Sequence, residues 1–374
     1  MKLLILRENL KQVVGIVDRA VSNSSSLPVL RNILVIAANG TISVSATNLE
    51  LAVTATLTGK ITEEGSLTIP AHVFSAIVGS VSSEKIHLEK KGNSVLVKTD
   101  NYEAAIQTIH EKEFPIIPKA KNTREFIDID GNLLRSAFDQ VINAAATVSD
   151  FRQELSGVLF SFQGDSIICA ATDSFRLAEK TISHAQYQTN IEKGFTVIIP
   201  AKNVQELIKI LPSGTVRIHV DQNEIIFKNE EREIVSRLIE GKFPDYRNII
   251  PTSFDFNAHV PINELLEGLK LVHVFASRLN DIKIAIADSH KTAELSSRET
   301  GLGENRYLVP IKGEGTAFEV MFNGIYFSDG LRSVAKAAKN ERAFLGLNKS
   351  SRPSLIRAVE DKSLLYVLMP IRQP

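Results

Sequence analysis

The sequence predicts an α+β protein of three tandem domains, each with two helices and antiparallel sheet. Three observations predict it. A short apolar strand running straight into a helical pattern occurs six times, beginning near Met1, Ser66, Glu125, Gly194, Phe256 and Ala317, at steps of 65, 59, 69, 62 and 61 residues. Phe114-Pro115, Phe243-Pro244 and Met369-Pro370 close successive pairs of units and lie 129 and 126 residues apart. Between the units run alternating strands split by turn signals such as Asn39-Gly40 and Gly92-Asn93. Solenoid repeats have periods of roughly 20–50 residues, so a longer period marks a whole domain. The expected domains are 1–122, 123–250 and 251–374, with about eight strands each.

Each strand–helix unit has its own local reason. In the first, Lys2-Leu-Leu-Ile-Leu6 precedes a stretch in which Leu10, Val13, Val14 and Val17 share one helical face. In the second, Ser66-Leu-Thr-Ile-Pro70 leads into Ala71, and Pro suits a helix entry because its missing N–H removes no helical bond. The third runs Phe126-Ile-Asp-Ile-Asp-Gly131 and then helically to Val141. The fourth runs Phe195-Thr-Val-Ile-Ile-Pro200 into a helix ending near Leu211. The fifth passes through Pro261 into Ile262-Asn-Glu-Leu-Leu-Glu-Gly-Leu269. The sixth runs from Phe318 through Phe322 and on past Leu331 and Val334.

Composition narrows the function. The chain has 374 residues, 44% hydrophobic and 23% charged, enough for a real core in each domain. Its 43 Lys and Arg balance 43 Asp and Glu, which excludes a broadly basic grip on nucleic acid. Trp is absent and aromatics are 6%, which argues against stacking along single-stranded bases. One Cys allows no internal disulfide and fits a reducing cytoplasm. The four apolar residues before Arg7 are too few for a signal-peptide core. No apolar run reaches the ~20 residues of a membrane span. A cytoplasmic protein is expected.

Catalytic patterns are missing. The eight His make no His-Glu-x-x-His, and His87, His110 and His219 alternate within strands. Cys169 sits in an apolar strand, where a thiol is inert. Gly59-Lys60 and Gly241-Lys242 lack the rest of a phosphate loop. Asp128 and Asp130 lead into a helix start, where carboxylates complement the helix dipole. No metal, cofactor or nucleotide is implied. A nuclease would need clustered carboxylates or His, and none appears.

The neutral total hides a segregation. Over the helical stretches 7–22, 71–82, 131–147, 201–211, 262–280 and 323–340 there are eleven basic and seven acidic residues. The basic ones are Arg7, Lys11, Arg19, Arg135, Lys202, Lys209, Lys270, Arg278, Arg332, Lys336 and Lys339. If the helices line one surface, it attracts phosphates while the rest repels them.

Four motifs carry a family resemblance across the whole chain. They are Leu27-Pro28-Val-Leu-Arg-Asn32, Ala171-Thr-Asp-Ser-Phe-Arg-Leu-Ala178, Phe243-Pro-Asp-Tyr-Arg247 and Tyr366-Val-Leu-Met-Pro-Ile-Arg372. In these the chain resembles the bacterial sliding clamps, the beta subunits of DNA polymerase III. The resemblance implies three DNA-clamp domains per chain and a head-to-tail homodimer closed into a ring. Helices would face the hole and sheets the outside, with double-stranded DNA threaded through and held without sequence preference. It implies no catalytic site. Its partners are the replicative polymerase, the clamp-loader ATPase, and repair and translesion proteins that dock a short peptide.

Site residues follow by matching position. The peptide cleft is implied at Leu155, Thr172, Ser174, Phe175, Arg176, Leu177, Pro244, Ile249, Ile356, Val367, Met369, Pro370, Ile371 and Arg372. The DNA-facing set is Lys11, Arg19, Ser24, Arg135, Arg152, Lys202, Lys209, Lys270, Arg278, Arg332, Lys336 and Lys339. The dimer interface is implied at Ala104, Ile106, Phe275 and Ala276. Relatives place Arg at position 24 and Tyr at the positions of Gln153 and Glu154, which weakens the DNA contact expected there. Asn248 stands where a basic residue is common. A scaffold that binds peptides without encircling DNA is the alternative these changes favour.

Overall fold

A computed structural model of the chain describes residues 1–22, 27–147, 152–287, 290–349 and 351–372. The first repeat holds β1 (Lys2–Leu6), α1 (Arg7–Val17), β2 (Asn32–Ala38), β3 (Thr41–Thr47), β4 (Leu51–Leu57), β5 (Gly59–Glu63), β6 (Gly65–Pro70), α2 (Ala71–Ser80), β7 (Lys85–Lys91), β8 (Ser94–Lys98) and β9 (Glu103–Gln107). The second holds β10 (Ile127–Asp130), α3 (Gly131–Val141), β11 (Gly157–Phe162), β12 (Ser166–Thr172), β13 (Arg176–Ser183), β14 (Tyr187–Thr189), β15 (Phe195–Pro200), α4 (Ala201–Ile210), β16 (Thr215–Val220), β17 (Glu224–Lys228) and β18 (Arg232–Arg237). The third holds β19 (Phe256–Pro261), α5 (Ile262–Val272), β20 (Asp281–Ile286), β21 (Thr292–Glu299), β22 (Gly303–Pro310), β23 (Lys312–Gly315), β24 (Phe318–Asn323), α6 (Gly324–Ala335), β25 (Arg342–Leu347), β26 (Ser354–Ala358) and β27 (Leu364–Leu368). Each repeat therefore has two α-helices and nine strands among the described residues, one strand more than expected. Short strands such as β14 and the Lys-Gly-Glu-Gly strand β23 have no apolar alternation to reveal them.

All six strand–helix junctions are present. The predicted face of α1, Leu10, Val13, Val14 and Val17, is buried. The first N–H of the leading helix in each repeat finds a loop carbonyl: Arg7 N to Glu84 O at 2.8 Å, Gly131 N to Gly214 O at 2.7 Å, Ile262 N to Glu341 O at 2.9 Å. Those bonds satisfy a donor that a helix start leaves orphaned. The approach is so close at Gly131 that a Cβ there would meet Pro212 O at 2.0 Å.

The helices are shorter than the sequence suggests. Tight 3₁₀ turns at Asp18–Ala20, Ile142–Ala144 and His273–Phe275 end the leading helices, a common way to satisfy the last carbonyls. Within the α-helices themselves the basic residues are Arg7, Lys11, Arg135, Lys202, Lys209, Lys270 and Arg332. The acidic ones are Glu8, Asp139, Glu206, Glu264, Glu267 and Asp329. The expected excess of four charges shrinks to one, because Arg19, Arg278, Lys336 and Lys339 lie beyond the helix ends.

The chain forms two compact units. One comprises Met1–Asn132, Tyr187–Ile191 and Lys209–Leu238; the other Leu133–Gln186, Glu192–Ile208 and Ile239–Pro374. The first unit contains a five-stranded sheet, β5-β1-β7-β8-β9, and a nine-stranded sheet, β14-β10-β16-β17-β18-β4-β3-β2-β6. The second contains a nine-stranded sheet, β15-β11-β12-β13-β27-β26-β25-β19-β23, and a four-stranded sheet, β22-β21-β20-β24. The middle repeat thus gives five strands to join four from the first repeat, and four to join five from the third. The junctions are the antiparallel pairs β18–β4 and β13–β27.

The Phe-Pro closures cover these junctions. Phe114 packs with Val29 and Leu30, while Ile117 and Ala120 lie on Ala52, Ile226 and Val235. Phe243 and Tyr246, edge to face with centroids 5.9 Å apart, lie on Leu159, Ile168, Leu177, Leu355 and Val367. The four-stranded sheet has a polar face instead. A cavity of about 680 Å³ there is lined by Asp281, Lys283, Glu294, Ser296, Arg298 and Arg306 among others. Lys283 pairs with Glu319 at 3.3 Å and Arg298 with Glu304 at 3.8 Å across it.

Cys169 is fully buried in β12, and burial pushes its thiol up to about 12. Its thiolate fraction at pH 8 is about one in ten thousand. Iodoacetamide at that pH is expected to leave the native protein unmodified and to label it stoichiometrically in denaturant. Rapid labelling of the native chain would contradict the burial.

Candidate functional site

The implied cleft residues all belong to the second unit. Their centre is the loop between β12 and β13. Thr172 Oγ1 donates to Arg176 O at 2.7 Å and accepts from Ser174 N at 3.2 Å. Asp173 Oδ1 accepts from Phe175 N at 2.9 Å and Arg176 N at 3.0 Å. This bonding holds Ser174 at φ +79°, in the left-handed region that L side chains disfavour. The result is an outward Phe175, 62% exposed, whose carbonyl accepts from Met369 N at 2.8 Å.

Around that loop the structure collects most of the implied set. Leu177 pairs with Val367 across β13–β27, and both are buried. Leu155 is buried, Ile249 exposed, Pro244 and Met369 intermediate. Pro370 is buried, Ile371 N donates to Met321 O at 2.8 Å, and Arg372 is exposed. A cavity of about 430 Å³ opens beside Pro244, lined by Leu159, Ser161, Ile168, Ile198 and Phe243. Tyr246 at its edge donates to Glu179, and burial together with that carboxylate raises the phenol above its usual range.

Two members have surroundings that the sequence did not show. Ile356 pairs with Tyr366, whose ring packs on Gly330 of α6, so it faces the helix side and is buried there. Leu355, one residue earlier, pairs with Val367 and occupies the outer face. Arg176 is held by two carboxylates. Its Nε donates to Asp173 Oδ2 at 2.9 Å and its Nη1 to Asp329 Oδ2 at 2.7 Å. Its guanidinium lies 4.0 Å over the Tyr326 ring. Burial opposes its charge, but Tyr366, Asp329 and Asp173 outweigh burial and raise its pKa further. Arg176 therefore positions the loop. Asp329 and Tyr326, on α6, escaped the sequence reading because they lie some 150 residues away.

The cationic set is mostly exposed. Lys11, Arg19, Lys202, Lys209, Lys270, Arg278, Arg332, Lys336 and Lys339 are exposed, and Arg135 is half-buried. Several are held by acids of the chain. Lys336 Nζ lies 2.6 Å from Asp139 Oδ2, Arg332 Nη1 3.5 Å from Asp329, and Arg152 Nε 3.5 Å from Glu154. Arg152 also donates to Ser174 Oγ at 3.2 Å, which ties it to the cleft loop. Ser24 lies outside the described residues. Among the described residues no group of three or more His, Cys, Asp and Glu is placed to hold a metal, and no helix is long and apolar enough to cross a membrane.

The implied interface residues sit at two open sheet edges. Ala104 and Ile106 are on β9, the edge of the five-stranded sheet, with Ile106 only 8% exposed. Phe275 lies against β22, the edge of the four-stranded sheet, where a Cβ on Gly303 would sit 3.0 Å from its ring. Phe275 and Ala276 are half-buried. The exposed apolar atoms belong instead to Leu271 (54%) and Val274 (64%). Asn305 Nδ2 donates to Leu271 O at 2.8 Å, which fixes this helix end to β22. In the other unit a cavity of about 430 Å³ opens at the end of α2, lined by Ala76, Ile77, Ser80, Val81 and Tyr102 among others.

Comparison with known proteins agrees along the full length. Models of the DNA polymerase III beta subunit match in order, the N-terminal domain over residues 1–118, the central domain over 128–245 and the C-terminal domain over 247–372. The beta sliding clamp of Bacillus subtilis is 26% identical over 386 residues, with 100% of both chains covered. That of Chlamydia muridarum is 26% identical over 379 residues, covering 100% of this chain and 99% of the other. The crystal structure of the DNA polymerase III subunit beta of Pseudomonas aeruginosa superposes with a TM-score of 0.92 at 25% identity, and that of Thermotoga maritima with 0.90 at 26%, each over 100% of both chains. With three clamp domains in sequence and the fold to match, the chain belongs to the family of DNA polymerase III beta subunits.

Proposed function

We propose that the protein is a DNA sliding clamp, a processivity factor whose two copies close into a ring around duplex DNA. The observation that carries this is the strand arithmetic of the sheets. Both nine-stranded sheets are built as five plus four from neighbouring repeats, through equivalent edge strands. One five-stranded and one four-stranded sheet remain, with β9 and β22 as the edges equivalent to β18 and β4. Pairing β9 of one copy with β22 of another makes a third sheet of the same kind. Six repeats then meet through one type of joint, and equal rotations at such joints close a ring.

The helical packing supports the same seam. At the β13–β27 junction the end of α3 and the end of α6 meet through Lys336 and Asp139. The equivalent ends at β22 and β9 are those of α5, with Leu271 and Val274, and of α2, with its cavity. An exposed apolar pair and an open hollow are complementary. The domain boundaries proposed for this assembly are near residues 122 and 250, inside the covering linkers.

Inside the ring, exposed Lys and Arg would touch phosphates loosely and without sequence preference. Their carboxylate partners keep those contacts weak, which suits sliding. The cleft around Phe175, Leu177, Val367 and Met369 would take apolar peptide anchors from the replicative polymerase, the clamp-loader ATPase, and repair and translesion proteins. The chain has no catalytic site of its own in this reading, and it acts in the cytoplasm.

Two measurements test the proposal. Loaded onto nicked circular DNA, the protein is expected to stay bound, and to slide off once the circle is cut. Equal release from both forms would remove the ring. Deleting residues from Pro370 onward is expected to weaken polymerase binding at least a hundredfold and leave a dimer of about 82 kDa, twice the 41.2 kDa chain. Undiminished polymerase binding would move the cleft elsewhere.

A further inference from the structure

We infer that the first unit carries a second peptide groove, at the β18–β4 junction, which takes an extended apolar segment of a partner protein flanked by a basic residue. The assignment rests on the reading of the β13–β27 region as a peptide cleft and extends it to a place where no site is assigned.

The two places are built alike, bond for bond. Thr47 Oγ1 donates to Leu51 O at 3.0 Å and accepts from Leu49 N at 3.0 Å. Thr172 does the same to Arg176 O and from Ser174 N. Asn48 Oδ1 accepts from Glu50 N at 3.0 Å and Leu51 N at 2.8 Å, as Asp173 accepts from Phe175 N and Arg176 N. Leu49 stands at φ +74° where Ser174 stands at +79°. Ala52 pairs with Val235 where Leu177 pairs with Val367. Pro115 follows Phe114 over the sheet as Pro244 follows Phe243. Between these parts a cavity of about 290 Å³ opens.

Three features of the groove are costly to folding. Leu49 is a branched side chain held in the left-handed region, where strain commonly marks function. It is 46% exposed. Ile116, on the other wall, is 95% exposed. Exposed apolar residues on both sides of a hollow are anchors for an apolar ligand.

The charge selects the ligand. The rim holds Glu50, Glu224 and Arg237, with Glu50 and Arg237 3.6 Å apart. One carboxylate is in excess. In the cleft of the second unit Arg152 beside the loop is paired with Glu154 at 3.5 Å, and the exposed Arg372 leaves one cation in excess. The two grooves thus share a shape and differ in sign. The second-unit cleft favours an acidic flank, the first-unit groove a basic one.

The test uses two fluorescent hexapeptides with the same Leu and Phe anchors, one flanked by Lys and one by Asp, titrated into the full-length dimer at low salt. The Lys peptide is expected to bind at two sites per chain. Leu49→Asp with Ile116→Asp, both at exposed positions, should remove one site and leave the dimer intact. Glu224→Lys should weaken that site for the Lys peptide about fivefold and strengthen it for the Asp peptide. One site per chain, untouched by L49D/I116D, would overturn the groove while the cleft stands. One site, lost in L49D/I116D and kept in Phe175→Ala, would remove the cleft and keep the groove. A mass above the dimer that L49D/I116D restores would make the surface a self-contact and overturn the peptide assignment.

Discussion

Leu271→Asp combined with Val274→Asp is expected to turn the dimer into a monomer of about 41 kDa at micromolar concentration. These side chains are 54% and 64% exposed on the single chain. Covering what remains of each in a seam contributes about 1 kcal/mol. A carboxylate in the same place adds an unpaired charge that loses water, which costs at least about as much again. The two replacements together amount to roughly 4 kcal/mol per seam, or about a thousandfold in affinity. A closed dimer has two such seams. Because both residues lie on the surface of one chain, helix content should be unchanged. Sedimentation equilibrium reads the outcome, and a dimer that persists at nanomolar concentration would mean that the ring is joined elsewhere.

Arg176→Ala is the most damaging single change expected. Arg176 and Asp173 side chains are each 11% exposed and Asp329 is 18% exposed. Removing the guanidinium leaves Asp173 without its cation and Asp329 with only Arg332 at 3.5 Å, both with little water. Breaking a buried pair in this way costs about 3–5 kcal/mol. Asp329→Asn in the same background should recover part of the loss, because it removes one stranded charge. The cycle of single and double variants in urea isolates that coupling. Peptide affinity should fall at least tenfold, since Arg176 anchors the loop that presents Phe175. A loss below about 1 kcal/mol would show that the ion pairs are replaceable by solvent.

Much of this architecture was legible before any coordinates. The leading helices announce themselves by apolar spacing, as at Leu10, Val13, Val14 and Val17. The Phe-Pro closures revealed the repeat, and their recurrence has a physical basis: each covers a sheet junction. What the pattern could not show was which repeats share a sheet. Pairing between edges depends on surfaces brought together in space, and β18 and β4 read like any alternating strands. One cleft position depends on spatial pairing in the same way. Strand faces alternate, and position matching did not show that Leu355 lies on the outer face while Ile356 faces the helices. The sequence did not show what holds Arg176, because its acidic partner Asp329 is distant along the chain. The helical charge was overestimated because a periodic pattern does not show where an α-helix ends: Arg19 and Arg278 lie past the start of a 3₁₀ turn, and Lys336 and Lys339 lie past the end of α6.

The polar face of the four-stranded sheet bears on reversibility. The two junctions inside the chain are sealed by Ile117 and Ala120 of one linker and by Phe243 and Tyr246 of the other, so separating them would wet an apolar core and amount to unfolding. At β22 no Phe-Pro linker lies over the sheet, and Lys283, Glu294, Arg298 and Arg306 are already hydrated. A joint made there gives up little when it parts beyond strand hydrogen bonds and the contacts of Leu271 and Val274. In the proposed ring the joints inside a chain are thus permanent welds, and the joint at β22 is a latch.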